Sequence, residues 1–242
     1  EGVTSFAIGD RVHARLADKH CGGFADVAVA DIDITTKMPP GMSFADAAAL
    51  PLAGMTALQG LTLGGKLAFQ ESANTRVLIV GGSGGVGHFA VQIARAMGTH
   101  VVAVTSAKNS ELVRSLGAHE TIDYNKPDAF AGQAPFDVVY DCVAGDPAKY
   151  MSMLTAKGRY LSCVPGPAVF AYAALNLVRS KHVGAVLLKA SARDLDLLNG
   201  LFEKGQLRVV IDAHFPLEQT KQAFEQSMRG RAVGKIVIDV QR

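Results

Sequence analysis

The spacing of apolar and polar positions changes three times along this chain. From Glu1 to Ala30 they alternate, as in GDRVHARL and FADVAVA on either side of Gly22-Gly23, which predicts strands joined by a turn. In MPPGMSFADAAALPLAGMTALQGL the spacing becomes helical. Pro39-Pro40-Gly41 makes a turn, Ser43 is a suitable N-cap, and Asp46 three residues on nearly completes a capping box. From Arg76 onward short apolar runs take turns with amphipathic ones. VLIVG (77–81) reads as a buried strand, HFAVQIARAMG (88–98) as a helix, HVVAVT (100–105) as a strand and SELVRSLGA (110–118) as a helix. ETID (120–123), FDVVYDC (136–142), GRYLSCV (158–164) and VGAVLL (183–188) bring the candidate strands to six. Apolar strands alternating with helices predict a parallel sheet covered on both faces. Beyond them ARDLDLLNGLFEKG and LEQTKQAFEQSMRG read as helices stopped by Gly205 and Gly230, with LRVVID and GKIVIDV as strands.

Composition narrows the function without naming it. The 242 residues are 49% apolar and 19% charged, enough for a sizeable core, and the net charge of +2 is interspersed. There is no basic stripe of the kind nucleic-acid binding needs. Cys21, Cys142 and Cys163 form no CxxC pair, which fits a reducing compartment better than a disulfide scaffold. The most apolar stretches, around 47–58 and 168–178, are short for a bilayer span and are interrupted by Pro51 and Asn176. A soluble protein of the cytoplasm or an organellar stroma is expected.

VLIVGGSGGVGHFAVQIA concentrates the chemistry. Gly82, Gly84 and Gly87 satisfy GxGxxG between a strand and a helix, the context in which that motif binds a dinucleotide. One glycine permits a tight turn, one lets a pyrophosphate approach the backbone, and one lets helix and strand pack closely. Amides at the helix start, aided by its dipole, then face the phosphate. Gly81, Gly85 and Gly87 also fit the short-chain dehydrogenase spacing GxxxGxG, but that family requires YxxxK. The residues four beyond Tyr124, Tyr140, Tyr150, Tyr160 and Tyr172 are Asp128, Ala144, Leu154, Val164 and Asn176, so that reading fails. The second strand ends Val104-Thr105-Ser106-Ala107-Lys108, without the acid that usually holds an NAD ribose. A hydroxyl and an ammonium suit a 2′-phosphate, so NADPH is the expected cofactor.

LPLAGMTALQGL, VLIVGGSGGVGHFAVQIAR, SLGAHETIDY, FDVVYDCV and GRAVGKIVI together resemble the medium-chain dehydrogenase/reductase family, in its zinc-independent quinone oxidoreductase branch. The segment from GPAVFAYAALNLVRSKHVGAVLLKA to GQLRVVID is similar to plant chloroplast-envelope members of that branch, and enone reductases lie close to it. The resemblance implies an α/β fold. A doubly wound Rossmann domain over residues 54–188 would be joined to a discontinuous, N-terminally incomplete GroES-like β-rich catalytic domain, 1–53 with 189–242. It implies that Thr56 borders the nicotinamide and that Gly82, Ser83, Gly84, Gly85, Val86 and Gly87 cradle the pyrophosphate. Ser106, Lys108 and Tyr124 would surround the 2′-phosphate. Cys142 and Val143, with Val164, would line the nicotinamide cleft, and Arg231 and Lys235 would close over the cofactor. In the family a longer N-terminal portion precedes GDRV and shapes half the substrate pocket, so the chain as given is expected to bind NADPH and reduce enones weakly.

No metal is expected. Zinc alcohol dehydrogenases place a ligand cysteine where Leu52 stands, and their four-cysteine lobe has no counterpart here. His13, His20 and Cys21 would be spread over opposite faces of a strand. The expected reaction is hydride transfer from nicotinamide to the β-carbon of an α,β-unsaturated carbonyl or to a quinone, and no residue stands out as general acid. The expected partner is that small-molecule carbonyl or quinone, with no nucleic acid, no membrane span and a homodimer as the candidate assembly. A non-catalytic NADPH-binding protein, redox-sensing or structural, shares the same cofactor motif and stays open at this level.

Overall fold

The computed structural model describes residues 3–16, 22–176 and 180–240. The chain divides into two compact units, Glu1–Met55 with Lys189–Arg242, and Thr56–Leu188. It begins in the first unit with β1 (Val12–Ala14), which pairs antiparallel with β2 (Thr35–Lys37). Helix α1 (Phe44–Gln59) follows and continues as a π-helical turn, Gly60–Gly64. Its start is capped as the sequence leads one to expect: the Asp46 amide donates to Ser43 Oγ at 3.0 Å, and that hydroxyl donates to Asp46 Oδ2 at 2.7 Å. The continuous run Phe44–Gly64 is 21 residues long and apolar enough to cross a membrane, but 72% of its apolar window is buried in the fold, as in the core helix of a folded domain.

The Thr56–Leu188 unit carries the alternation read from the sequence. In chain order it contains β3 (Arg76–Val80), α2 (Gly87–Ala96), β4 (His100–Thr105), α3 (Ser110–Ser115), β5 (Glu120–Asp123), β6 (Phe136–Asp141), α4 (Pro147–Ser152), β7 (Leu154–Ser162), α5 (Pro167–Ala173) and β8 (His182–Ala185). Its six strands form one parallel sheet in the order β5-β4-β3-β6-β7-β8. The chain therefore winds outward twice from the centre, and the switch point lies between β3 and β6. Every residue of β3 and β4 after the first is buried, which is why these strands read as unbroken apolar runs. Leu78, Val80, Val102, Val139, Tyr160 and Val183 share one cluster, each such burial contributing about 1.5–3 kcal/mol.

The chain then returns to the first unit with α6 (Ala192–Glu203), β9 (Ile211–Pro216), α7 (Thr220–Met228) and β10 (Lys235–Asp239), and β9 pairs parallel with β10. Ser191 caps α6 by accepting from the Asp194 amide at 3.3 Å. Inside this unit Leu195 and Leu198 are buried, and Thr36 Oγ1 hydrogen-bonds Asp196.

The structure departs from the sequence reading in several elements. FADVAVA forms no strand: residues 22–30 are irregular and exposed, because alternation alone supplies no ladder partner for the backbone. LRVVID yields a strand only from Ile211. Helices α4 and α5 were not expected; each starts on a proline, which suits the first helical turn, and each is short enough to lack a helical period. His20 and Cys21 lie outside the described residues.

Candidate functional site

The sheet order gathers residues that are far apart in sequence along one edge, the carboxyl ends of the parallel strands. Read across the sheet, Tyr124 follows β5, Ser106 and Lys108 follow β4, the glycine loop follows β3, Cys142 and Val143 follow β6, and Val164 lies just past β7. Neighbouring strands are about 4.8 Å apart, so this row has the span of a dinucleotide.

The loop between β3 and α2 is built by close approach. Gly81 takes φ +80°, and its amide and that of Gly82 both donate to the Val104 carbonyl, at 3.1 and 2.9 Å. The tight turn therefore falls on Gly81, one residue before the first of the three motif glycines. Gly82 instead packs: a Cβ there would lie 2.9 Å from Ala103 Cβ. At Gly87 a Cβ would lie 2.0 Å from the Gly81 carbonyl oxygen, which makes it the glycine of helix–strand contact. Gly84 is different. A Cβ there would meet a single neighbour, the Gly81 carbonyl oxygen, at a tight 3.3 Å. The amides of Gly85 and Val86 find no partner among the described residues and stand at the start of α2 as a donor pair for an anion.

Side chains hold this loop in shape. His88 is fully buried, and both its amide and its Nδ1–H donate to the Gly84 carbonyl, at 3.1 and 2.9 Å. It is a packing residue, as the sequence context indicates. Ser83 Oγ accepts from Thr105 Oγ1 at 3.0 Å and from Asn109 Nδ2 at 3.1 Å, contacts with no signature in the sequence.

Ser106 precedes a short 3-10 turn, Ala107–Asn109, without capping it through its side chain. Lys108 is exposed on that turn, and Tyr124 is exposed beside it, its amide donating to the Thr105 carbonyl at 3.3 Å. One acid lies close by. The Asp123 carboxylate accepts from the Asn125 amide at 3.1 Å and from Asn125 Nδ2 at 2.9 Å. The Asn125 backbone bond, helped by its side chain, Lys126 and the Ala107 amide, holds the acid below the usual carboxylate range. Its Oδ1 is thus turned to its own loop, and the group stays ionised.

Across the switch point Asp141 is completely buried at the end of β6, a placement the sequence reading missed because one acid closing an apolar run has no periodic signal. Its Oδ1 accepts from the Val143 amide at 2.9 Å; its Oδ2 accepts from the Gly145 amide and from the Tyr160 hydroxyl, both at 2.7 Å. Burial first, and then this hydrogen bond to Asp141, push the Tyr160 hydroxyl far above its ordinary value. The three donors fix the turn that carries Cys142 and Val143, and in it Ala144 is held at φ +58°. This turn meets the glycine loop, for a Cβ on Gly81 would come within 2.4 Å of Val143 Cγ1. Val143 and Val164 expose their side chains, whereas Thr56 is buried and its carbonyl accepts from the Tyr140 hydroxyl at 2.8 Å.

Arg231 and Lys235 belong to the other unit. Arg231 is exposed, and Lys235 is half-buried where β10 begins, its ammonium pulled below its usual value by desolvation. Among the described residues no three His, Cys, Asp or Glu side chains converge as a metal would require. Leu52 is a half-exposed hydrocarbon and offers no donor.

A family model described as Zinc-binding dehydrogenase matches residues 116–238. The chain is 38% identical over 246 residues to the chloroplast envelope quinone oxidoreductase homolog of Arabidopsis thaliana, a match covering 98% of this chain and 75% of that protein. It is 31% identical over 265 residues to the mitochondrial NAD(P)H oxidoreductase RTN4IP1 of Homo sapiens, covering 98% of this chain and 66% of that one. Among solved structures, the quinone oxidoreductase from Coxiella burnetii superposes with a TM-score of 0.85 at 30% identity, over 99% of this chain and 75% of that chain.

Proposed function

This chain belongs to the medium-chain dehydrogenase/reductase superfamily and is an oxidoreductase of it, and on that premise we propose that it passes hydride from NADPH to an α,β-unsaturated carbonyl or a quinone without zinc. The observation that carries the reading is the row of strand ends, with the glycine loop, two amides unpartnered among the described residues, and Ser106 and Lys108 where an NAD site would place an acid. When bound, the reduced nicotinamide supplies the hydride.

The residues of this chain do the holding. The Gly85 and Val86 amides take a pyrophosphate oxygen. Ser83, whose oxygen already accepts from Thr105 and Asn109, turns its own hydrogen outward to a second one. Lys108, Ser106 and the Tyr124 hydroxyl surround a 2′-phosphate. Val143 and Val164 present hydrocarbon from the ends of β6 and β7, a surface suited to a flat, uncharged ring, and Asp141 keeps the first of those turns in place. Among the described residues no donor set suits zinc, so no step is routed through it, and reduction of an acceptor that is already electrophilic needs no Lewis acid. The names of the Arabidopsis and Coxiella relatives support a quinone among the acceptors, and the human relative's name supports a nicotinamide donor.

The test is direct. Purified protein is titrated with NADPH and with NADH by calorimetry, and NADPH consumption is followed with simple enones and with quinones. Preference for NADPH with turnover of at least one acceptor class is the expected result. Equal affinity for the two nucleotides would sink the cofactor assignment, and NADPH binding with no turnover of either class would sink the acceptor assignment.

A further inference from the structure

Two cysteines stand side by side where the sheet ends. The last paired residues of β6 and β7 are Asp141 and Ser162, and the ladder continues one step further, the Cys163 amide donating to the Asp141 carbonyl at 3.1 Å. Cys142 and Cys163 are therefore opposite one another on adjacent parallel strands, on the same face of the sheet. Both are free, both are half-buried, and their thiols are within hydrogen-bonding reach of each other. Strands about 4.8 Å apart put the two Cα atoms inside the range a disulfide bridges, roughly 4.4–6.8 Å.

We propose that Cys142 and Cys163 form a reversible disulfide that binds the two strand-end turns together and weakens the hold on the nicotinamide cofactor. The second half of this statement rests on the reading given under "Proposed function", in which Val143 and Val164 line the nicotinamide; the disulfide itself does not. Cys163 is the attacking sulfur. The hydrogen bond from Cys142 lowers its thiol below the usual value, whereas the same bond and burial push Cys142 up. With a hydroperoxide as the oxidant, Cys163 Sγ attacks the terminal peroxide oxygen. An S–O bond forms, the O–O bond breaks, and the departing alkoxide takes the thiol proton to become an alcohol. Cys142 Sγ then attacks the sulfenic sulfur. The S–S bond forms as the S–O bond breaks, and the hydroxide leaves with the Cys142 proton as water. Two thiols and one hydroperoxide thus give one disulfide, one alcohol and one water.

The consequence is mechanical. A disulfide holds its sulfurs at about 2.05 Å, closer than two thiols in contact, and with the Cα atoms already in bridging range it turns both side chains toward each other and twists the ends of β6 and β7. Val143 and Val164 each follow their cysteine directly and move with it. Ala144, already in the left-handed region, and the Asp141 network on the same turn leave little slack to absorb the shift.

The experiment treats reduced protein with hydrogen peroxide and examines it in two ways. Peptide mapping without reductant is expected to show the Cys142 and Cys163 peptides joined, distinct from any link involving Cys21. Calorimetry is expected to show NADPH affinity lowered several-fold in that sample and restored by dithiothreitol. Cys163→Ser should yield no joined peptide and no peroxide-dependent change in its own NADPH affinity. Recovery of both cysteines as thiols, or their separate oxidation to sulfinic acid, overturns the disulfide. A joined peptide with unchanged affinity overturns the coupling to the cofactor. If reduced, untreated protein does not bind NADPH, it is the reading under "Proposed function" that fails, and the joined peptide still decides the disulfide.

Discussion

The Thr56–Leu188 unit and the unit formed by Glu1–Met55 with Lys189–Arg242 treat their apolar residues in opposite ways. In the first, Leu78, Ile79, Val101, Val102 and Val139 are sealed in a six-stranded sheet, and Tyr124, Val143 and Val164, among its large exposed apolar side chains, sit at the carboxyl ends of strands. In the second, Val3, Ile8, Phe24, Val27, Val29, Phe224 and Met228 are exposed across segments whose described sheets have only two strands each. A wide ladder covered on both faces satisfies its backbone and hides its hydrocarbon, whereas two-stranded ribbons can do little of either. On the sheet-bearing unit three such side chains gather where strands end, while Leu63, Phe170, Leu175 and Leu187 lie outside that group; in the other unit they are spread over irregular segments and short strands.

Four substitutions or conditions would break or sharpen that contrast. The largest effect belongs to Gly87→Ala, because a Cβ 2.0 Å from the Gly81 carbonyl must force α2 off the sheet. A loss of about 3 kcal/mol or more is expected. Denaturation with urea reads it, and an unchanged midpoint would mean the loop is far looser than its geometry. Gly84→Val comes next: its Cβ meets one atom, the Gly81 carbonyl oxygen at 3.3 Å, which need give only slightly, so the fold is expected to survive while NADPH affinity drops roughly a hundredfold. Unaltered calorimetric binding in a folded variant would remove this loop from the site. Lys108→Ala is expected to cost NADPH about tenfold in affinity and NADH little, the loss of one charge-assisted contact. Parallel losses for both nucleotides would place the lysine away from the 2′ position.

Much of this was legible in the sequence, and the gaps have physical causes. β3, β4 and β6 could be read because strands covered on both faces write largely apolar runs. The alternation in FADVAVA had no such support, since a strand exists only where another chain segment accepts its hydrogen bonds. The glycine loop was recognisable as a whole, but the turn falls on Gly81, outside the three motif glycines, because which of two adjacent glycines turns and which packs depends on Val104 and Ala103 across the sheet. Asp141 and the Thr105–Ser83–Asn109 contacts were invisible for the same reason: their partners are distant in sequence and adjacent only after folding.

The smallest expected effect lies in the other unit. His13 is buried, its Nδ1–H donating to the Ala47 carbonyl at 3.2 Å, and Asn199 and Asp196 face it from α6. Burial lowers its pKa below 6.5, outweighing the opposing pull of the Ala47, Asn199 and Asp196 groups. Because the folded value is the lower one, the unfolded chain takes up a proton that the folded chain refuses. Stability is then flat above about pH 6.5 and declines as pH falls from there toward the folded value. His119 and His182, lowered mainly by burial as well, add the same sign from the sheet-bearing unit. Thermal melts across this window are expected to show a shallower decline for His13→Gln than for the unaltered protein. An identical slope would assign the effect to the other two histidines.

Asp141 has a consequence for when this edge of the molecule becomes ordered. Its Oδ1 takes the Val143 amide, while its Oδ2 serves the Gly145 amide and the Tyr160 hydroxyl of β7 together. The turn after β6 is thereby tied to a pairing with a strand that begins thirteen residues further along the chain, at Leu154. Those two amides are built-in reporters: their exchange with deuterated solvent follows the docking of β7 onto β6, whatever happens on the far side of the sheet.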